Sequence, residues 1–157
     1  MGTLVVAAAG NDGTNGFQSP AGYRNVLGVA ATNSSDVKAS FSNYGEIVDV
    51  SAPGTSIYST IYNNSYTYLD GTSMASPFTA GLCGLVKSHF PDYTALQVGE
   101  QVRMTCTNID AINPGYVGQL GRGRINASTA MAATNDRLWP SLNSNHSFYS
   151  LQFHSTC

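Results

Sequence analysis

The stretch Asp70-Gly-Thr-Ser-Met-Ala-Ser-Pro-Phe-Thr-Ala-Gly81 places a serine directly after a turn signal and ahead of a run of small residues. A serine hydroxyl is a poor nucleophile until a base takes its proton and hydrogen-bond donors stabilise the oxyanion that forms on the attacked carbonyl. The neighbours of Ser73 suit that chemistry. Gly71 permits a sharp strand-to-helix turn, and Ala75 and Ser76 leave room for a substrate backbone. At a helix start, free backbone N–H groups and the positive end of the helix dipole favour a developing anion. Ser and Thr are also ordinary N-caps, so Gly-Thr-Ser taken alone fits a structural cap better than a nucleophile.

The elements that must position Ser73 are legible around it. Leu4–Ala9 is a continuous apolar run stopped by Gly10-Asn-Asp-Gly13, which predicts a strand buried on both faces. Asn25–Ala31 predicts a second buried strand, and Ile47–Ser51 a third that stops at Pro53-Gly54. Ser56–Tyr62 and Ser65–Leu69 are β-branched and aromatic, separated by Asn63-Asn64, and predict a hairpin. From Thr72 to about His89 the pattern changes. Met74, Ala75, Phe78, Leu82, Leu85 and Val86 recur as on a largely buried helix, with Pro77 tolerated near its start. Thr94 is a plausible N-cap for a second helix over about 95–106, and 126–133 predicts a short Ala-rich helix after the turn Gly121-Arg-Gly-Arg. Strands with helices after them indicate a layered α/β fold.

Composition excludes several function classes. The chain has 157 residues, 42% hydrophobic and only 10% charged, which suits one domain with a sizeable core and excludes a disordered or coiled-coil chain. The net charge is -2 without a Lys/Arg cluster, so nucleic acid and anionic membrane are not expected partners. No apolar run approaches the roughly 18 residues of a membrane span. Leu4–Ala9 is too short for a signal peptide and has no basic segment before it. Cys83, Cys106 and Cys157 lie far apart without a CxxC, which argues against zinc. Cys83 and Cys106 read as small buried hydrophobes, with one disulfide left open. Asn-x-Ser sequons begin at Asn33, Asn63, Asn126 and Asn145, a frequency that chance explains in a chain rich in Asn and Ser.

Taken whole, DGTSMASPFTAG resembles the nucleophile segment of the subtilisin-like serine peptidases. Other segments agree in order. Val5-Val-Ala-Ala-Ala-Gly-Asn-Asp-Gly13 is similar to the strand that ends in that family's oxyanion-hole Asn. Phe41-Ser-Asn-Tyr-Gly45 and Val48-Asp-Val-Ser-Ala-Pro-Gly54 are similar to its Ser-x-x-Gly and Asp-x-x-Ala-Pro-Gly stretches. Residues 94–102 and 121–127 resemble its last helix and closing strand. The resemblance implies a three-layer subtilisin-like fold with a mostly parallel sheet. Residues 1–133 would be the C-terminal part of the peptidase domain, and 134–157 a tail of unknown structure. It also implies that Ser73 is the nucleophile. Asn11 would donate its side-chain N–H to the oxyanion together with the Ser73 backbone N–H. Ala8, Ala9 and Gly10 would form one wall of the pocket for the P1 side chain. Asp12 either lies near the pocket base and tunes charge preference or is a solvated turn residue. Met74 follows Ser73, so its oxidation to a sulfoxide would crowd the oxyanion site. Asp49 and the 41–54 loop suggest a weak calcium site, as in some relatives, or a satisfied turn aspartate. No other metal or cofactor is implied. The implied substrate is a polypeptide, and the implied location is secreted or extracellular.

A serine triad also needs a His base and an Asp to orient it. In the family both precede the serine, in Asp-Ser/Thr-Gly and His-Gly-Thr motifs, and this chain has neither. Its histidines, His89, His146 and His154, all follow Ser73. His89 lies 16 residues along the helix that Ser73 begins, roughly 24 Å away at about 1.5 Å per residue, far beyond a hydrogen bond. The expectation is therefore a serine endopeptidase fragment that lacks the N-terminal half of its own domain and is inactive alone. The alternative is a non-catalytic peptide-binding or interaction module on the same fold. Retention of both Asn11 and Ser73 favours the former.

Overall fold

The computed structural model describes residues 2–132. Strands β1 (Val5–Ala8), β2 (Val26–Thr32) and β3 (Val50–Pro53) form a parallel sheet in the order β1-β2-β3, with Val5 opposite Val26 and Val29 opposite Val50. Strands β4 (Ile57–Ile61) and β5 (Ser65–Leu69) form a separate antiparallel hairpin in which Tyr58 faces Tyr68. Helices α1 (Thr72–His89), α2 (Ala95–Met104) and α3 (Ala127–Ala132) follow, with one 3-10 turn at Pro114–Tyr116. The closing segment adds a line to the sheet beyond β3. The Ser51 N–H donates to the Gly123 carbonyl at 2.8 Å, and the Ile125 N–H to the Ser51 carbonyl at 2.9 Å.

The sheet has a core on each face, which makes three layers. On one face Leu27, Val29, Ala31, Val50 and Ala52 pack against Ala75, Leu82, Cys83 and Val86 of α1 and Val98 and Val102 of α2. On the other, Ala9, Ala30 and Val48 pack against Ile109 and Leu120. Strand β2 is buried from Leu27 to Thr32, as its unbroken apolar run predicts. Its small residues let neighbours approach closely: a Cβ on Gly28 would collide with the Ile47 carbonyl.

Three expectations change. Strand β1 is not buried on both faces, since Val5 is 43% exposed. Among the described residues it pairs only with β2, and a strand with one partner keeps one edge open. Strand β3 starts later than Ile47 because Val48 still belongs to a turn, donating its N–H to the Gly45 carbonyl at 3.0 Å. Helix α1 has the expected bounds but a narrower buried stripe: Thr72, Ala75, Thr79, Leu82, Cys83 and Val86, at spacings of one, three and four. Phe78 and Leu85 are instead 48% and 56% exposed. Helix α2 begins as its sequence predicts. The Gln97 N–H donates to Thr94 Oγ1, and the Thr94 N–H to Gln97 Oε1, closing a capping box. The tail from 133 onward, with Trp139-Pro140, Asn145, His146, His154 and Cys157, lies outside the described residues.

Cys83 and Cys106 are free thiols, buried and half-buried. Burial pushes the Cys83 thiol up to about 11 and the Cys106 thiol up to about 12. At pH 8 each is then a thiolate in at most about one molecule in a thousand, and the thiolate is the reactive form. In a Cys157→Ser chain, disulfide-exchange labelling at pH 8 is expected to run at least about 100-fold slower in the folded protein than in urea. Equal rates would show that neither thiol is buried.

Candidate active site

Helix α1 begins without a side-chain cap, because its N-cap position is Gly71. The first-turn N–H groups must therefore find acceptors elsewhere. Those of Met74 and Ala75 donate to the Gly71 carbonyl at 3.0 and 3.3 Å. That of Thr72 donates to Asn11 Oδ1 at 2.9 Å. That of Ser73 takes no acceptor among the described residues, and the Ser73 side chain is exposed. Helix and turn thus present a hydroxyl and an uncommitted N–H at one spot.

Asn11 reaches the same spot from the loop after β1. Its Oδ1 accepts from both the Thr72 N–H and the Thr72 hydroxyl, each at 2.9 Å. Two donors on the oxygen fix the amide orientation and turn Nδ2 the other way. A Cβ built on Gly71 would lie 3.6 Å from the Ser73 nitrogen and 3.7 Å from Asn11 Nδ2, so the two nitrogens flank one point. Paired N–H donors beside an exposed hydroxyl can receive the negative oxygen of a tetrahedral adduct.

Thr72 is the residue that sequence reasoning passed over. It is fully buried, and besides its two bonds to Asn11 its hydroxyl accepts the Gly10 N–H at 3.2 Å. Its place immediately before the serine, with a hydroxyl at the first helical position, was the available signal.

The loop carrying Asn11 is held along its other side by residues 41–45. Asn43, only 1% exposed, donates from Nδ2 to the Ala9 carbonyl at 3.0 Å. Its Oδ1 accepts the N–H groups of Asp12 at 2.9 Å and Thr14 at 3.1 Å. Its own N–H donates to the Gly10 carbonyl at 3.0 Å, and the Gly13 N–H donates to the Phe41 carbonyl at 2.7 Å. Lys38 supports this segment from beneath. It is buried, with Nζ 4.7 Å from the Tyr116 ring centre and 5.2 Å from that of Tyr44, and burial lowers its pKa.

The wall residues differ from one another. Ala8 is half-buried, whereas the Ala9 side chain is fully buried in the second core. The Ala9 N–H is on the Val29 carbonyl and its own carbonyl takes Asn43 Nδ2, so Ala9 lies behind the surface and meets no ligand directly, contrary to its expected place in the pocket wall. Gly10, at φ +103°, adopts a conformation that L side chains rarely reach. Asp12 is exposed. The remaining candidates lie apart. Asp49 Oδ2 accepts the Gly28 N–H at 2.9 Å. Burial raises the Asp49 pKa, opposed by the Gly28 N–H and by Arg103 and reinforced by Glu100. Among the described residues no three His, Cys, Asp or Glu side chains are grouped to hold a metal. His89 sits at the exposed far end of α1, edge-on to Phe90 with ring centres 4.5 Å apart.

Comparison with known proteins finds relatives over most of the described residues. The sequence model of the subtilase family matches residues 1–123. Subtilisin DY of Bacillus licheniformis is 44% identical over 133 residues, covering 82% of this chain and 47% of that protein. The thermostable alkaline protease of Halalkalibacterium halodurans is 42% identical over 129 residues, covering 82% of this chain and 34% of that protein. The chain thus spans between a third and a half of these relatives. Among solved structures, a protease of Pseudoalteromonas arctica superposes with a TM-score of 0.74 at 32% identity, over 83% of this chain and 42% of that one. The prenylagaramide maturation protease PagA does so with a TM-score of 0.70 at 28% identity, over 82% of this chain and 49% of that one. No described helix is long and apolar enough to cross a membrane.

Proposed function

The chain belongs to the subtilase family, and on that premise we propose that it is the nucleophile-bearing half of a secreted serine endopeptidase. The observation that carries this reading is that the Ser73 nitrogen, whose N–H has no acceptor among the described residues, and Asn11 Nδ2 flank one point at the exposed Ser73. In this reading Ser73 Oγ attacks the scissile carbonyl of a polypeptide. Its proton passes to a histidine base and from there to the leaving amine, and water then hydrolyses the acyl-enzyme. The Asn11 side chain and the Ser73 N–H hold the oxyanion. Ala8 and Gly10 line the P1 pocket, with Ala9 buried behind them and the exposed Asp12 near it to tune charge preference.

The described residues bring no imidazole to Ser73, since His89 is at the other end of α1. The base and its aspartate belong, in this proposal, to an N-terminal half of the same domain. The open edge of β1 and the exposed Phe78 and Leu85 of α1 offer it apolar surface. The chain alone should therefore label negligibly with a fluorophosphonate. Adding the N-terminal half of the catalytic domain of a bacterial relative should produce stoichiometric labelling that Ser73→Ala abolishes. Rapid labelling of the chain alone would place the base within it. Peptide binding without labelling under either condition would favour a non-catalytic peptide-binding module.

A further inference from the structure

We infer that Asn43 is a positioning residue for the candidate oxyanion and P1 loop, acting through backbone it holds rather than by touching substrate. The catalytic part of this inference rests on the peptidase reading above; the structural part does not.

The loop from Ala9 to Thr14 leaves the sheet at the Ala9 N–H, which donates to the Val29 carbonyl at 2.9 Å, and has no regular secondary structure to fix it. Its polar backbone groups need partners, and one side chain supplies three of them. Asn43 binds the Ala9 carbonyl and the Asp12 and Thr14 N–H groups, so its bonds bracket Asn11 on both sides in sequence. The donor and acceptor ends of the amide are used in the only pairing the partners allow: Nδ2–H to a carbonyl, and Oδ1 to two N–H groups. The fourth tie is the Asn43 N–H on the Gly10 carbonyl. Gly10 completes the fit, since a Cβ there would collide with Asn43 Nδ2.

Two clamps therefore act on Asn11. Thr72 orients its amide, and Asn43 sets the backbone from which that amide projects. The same bonds place Gly10 of the proposed pocket wall and the buried Ala9 behind it. A small displacement of this backbone would affect transition-state stabilisation and P1 fit together.

Two variants test this. Asn43→Ala removes all three side-chain bonds. Asn43→Asp keeps an acceptor for the Asp12 and Thr14 N–H groups but loses the donor to Ala9. In the 157-residue chain, amide hydrogen exchange followed by NMR should quicken at least about tenfold at Asp12 and Thr14 in Asn43→Ala. Val86 and Val102 should stay within about twofold of the parent. Asn43→Asp should restore protection at Asp12 and Thr14; if Asn43→Ala does not fold, Asn43→Ser, whose side chain is too short to keep all three bonds, takes its place and should quicken the same two amides. In the chain reconstituted with an N-terminal half, kcat per titrated Ser73 should fall at least about tenfold in Asn43→Ala, with an altered P1 preference. A merely structural role would lower the titre and leave kcat per site and P1 preference unchanged. Unchanged exchange at Asp12 and Thr14 in the variant that removes their acceptor, or a loss of titre alone, overturns the inference. If reconstitution yields no activity, the peptidase reading fails while the exchange result still decides the structural part.

Discussion

Replacing Gly71 by alanine is expected to lower kcat/KM of the reconstituted peptidase by about 1000-fold or more, with the helical content of the chain retained. Two effects add. Gly71 sits at φ 156° and ψ 157°, a region that is essentially glycine-only, where a side chain costs on the order of 1–3 kcal/mol. That strain falls on the turn that fixes both donors, because the Gly71 N–H is tied to the Gly54 carbonyl at 2.8 Å and its own carbonyl receives the Met74 N–H. The turn cannot easily shift, since Gly54 is itself packed against Ala31 and Gly71. The added methyl would also stand 3.6 Å from the Ser73 nitrogen, 3.7 Å from Asn11 Nδ2 and 3.5 Å from Met74 Sδ. An oxygen accepting from both donors must come within about 3 Å of each, so the methyl competes with it. Steady-state kinetics on peptide substrates, with far-ultraviolet circular dichroism as the control for folding, checks this. A loss smaller than about tenfold would show that the donors do not converge on the reacting oxygen.

Removing the Asn11 donor should be the next largest effect, and two substitutions separate its two roles. Asn11→Leu removes the Nδ2–H and also the acceptor used by the buried Thr72. For one such donor the loss established on subtilisin, itself a member of this family, is about 100- to 1000-fold in kcat, and it is carried over here. KM should change little, because the interaction forms mainly in the transition state. Asn11→Asp keeps the oxygen that Thr72 needs but sets a carboxylate oxygen against the developing oxyanion. It should be at least as damaging to kcat as Asn11→Leu, while melting closer to the parent. The Leu variant leaves two donors of Thr72 without their acceptor, at a cost of about 1–3 kcal/mol for a buried unsatisfied group. Equal kcat in Asn11→Asp and the parent would remove Asn11 from the oxyanion site.

Much of this was written in local patterns. The bounds of α1, the Thr94 cap of α2, the hairpin of β4 and β5 and the buried β2 follow from periodicity, turn residues and capping chemistry, which are properties of neighbouring residues. Ser73 and Asn11 were legible because each lies in a long stretch of distinctive residue types. Burial was less legible. Phe78 and Leu85 fit a helical period as well as Leu82 and Val86 do, and only the direction in which α1 meets the sheet leaves the first pair outside. Val5 is apolar like the rest of β1, yet its exposure depends on which strand lies beside it.

By itself, then, the sequence determined the layered α/β class, the family, and the two residues on which the proposed chemistry rests. Only the tertiary structure decided that a threonine 61 residues from Asn11 orients its amide. Only it decided that an asparagine 31 residues from Asp12 holds the loop that carries Asn11. The reason is physical. A residue's type and its neighbours set its backbone preferences, but a hydrogen bond at 2.9 Å between distant segments exists only where packing has already brought those segments together.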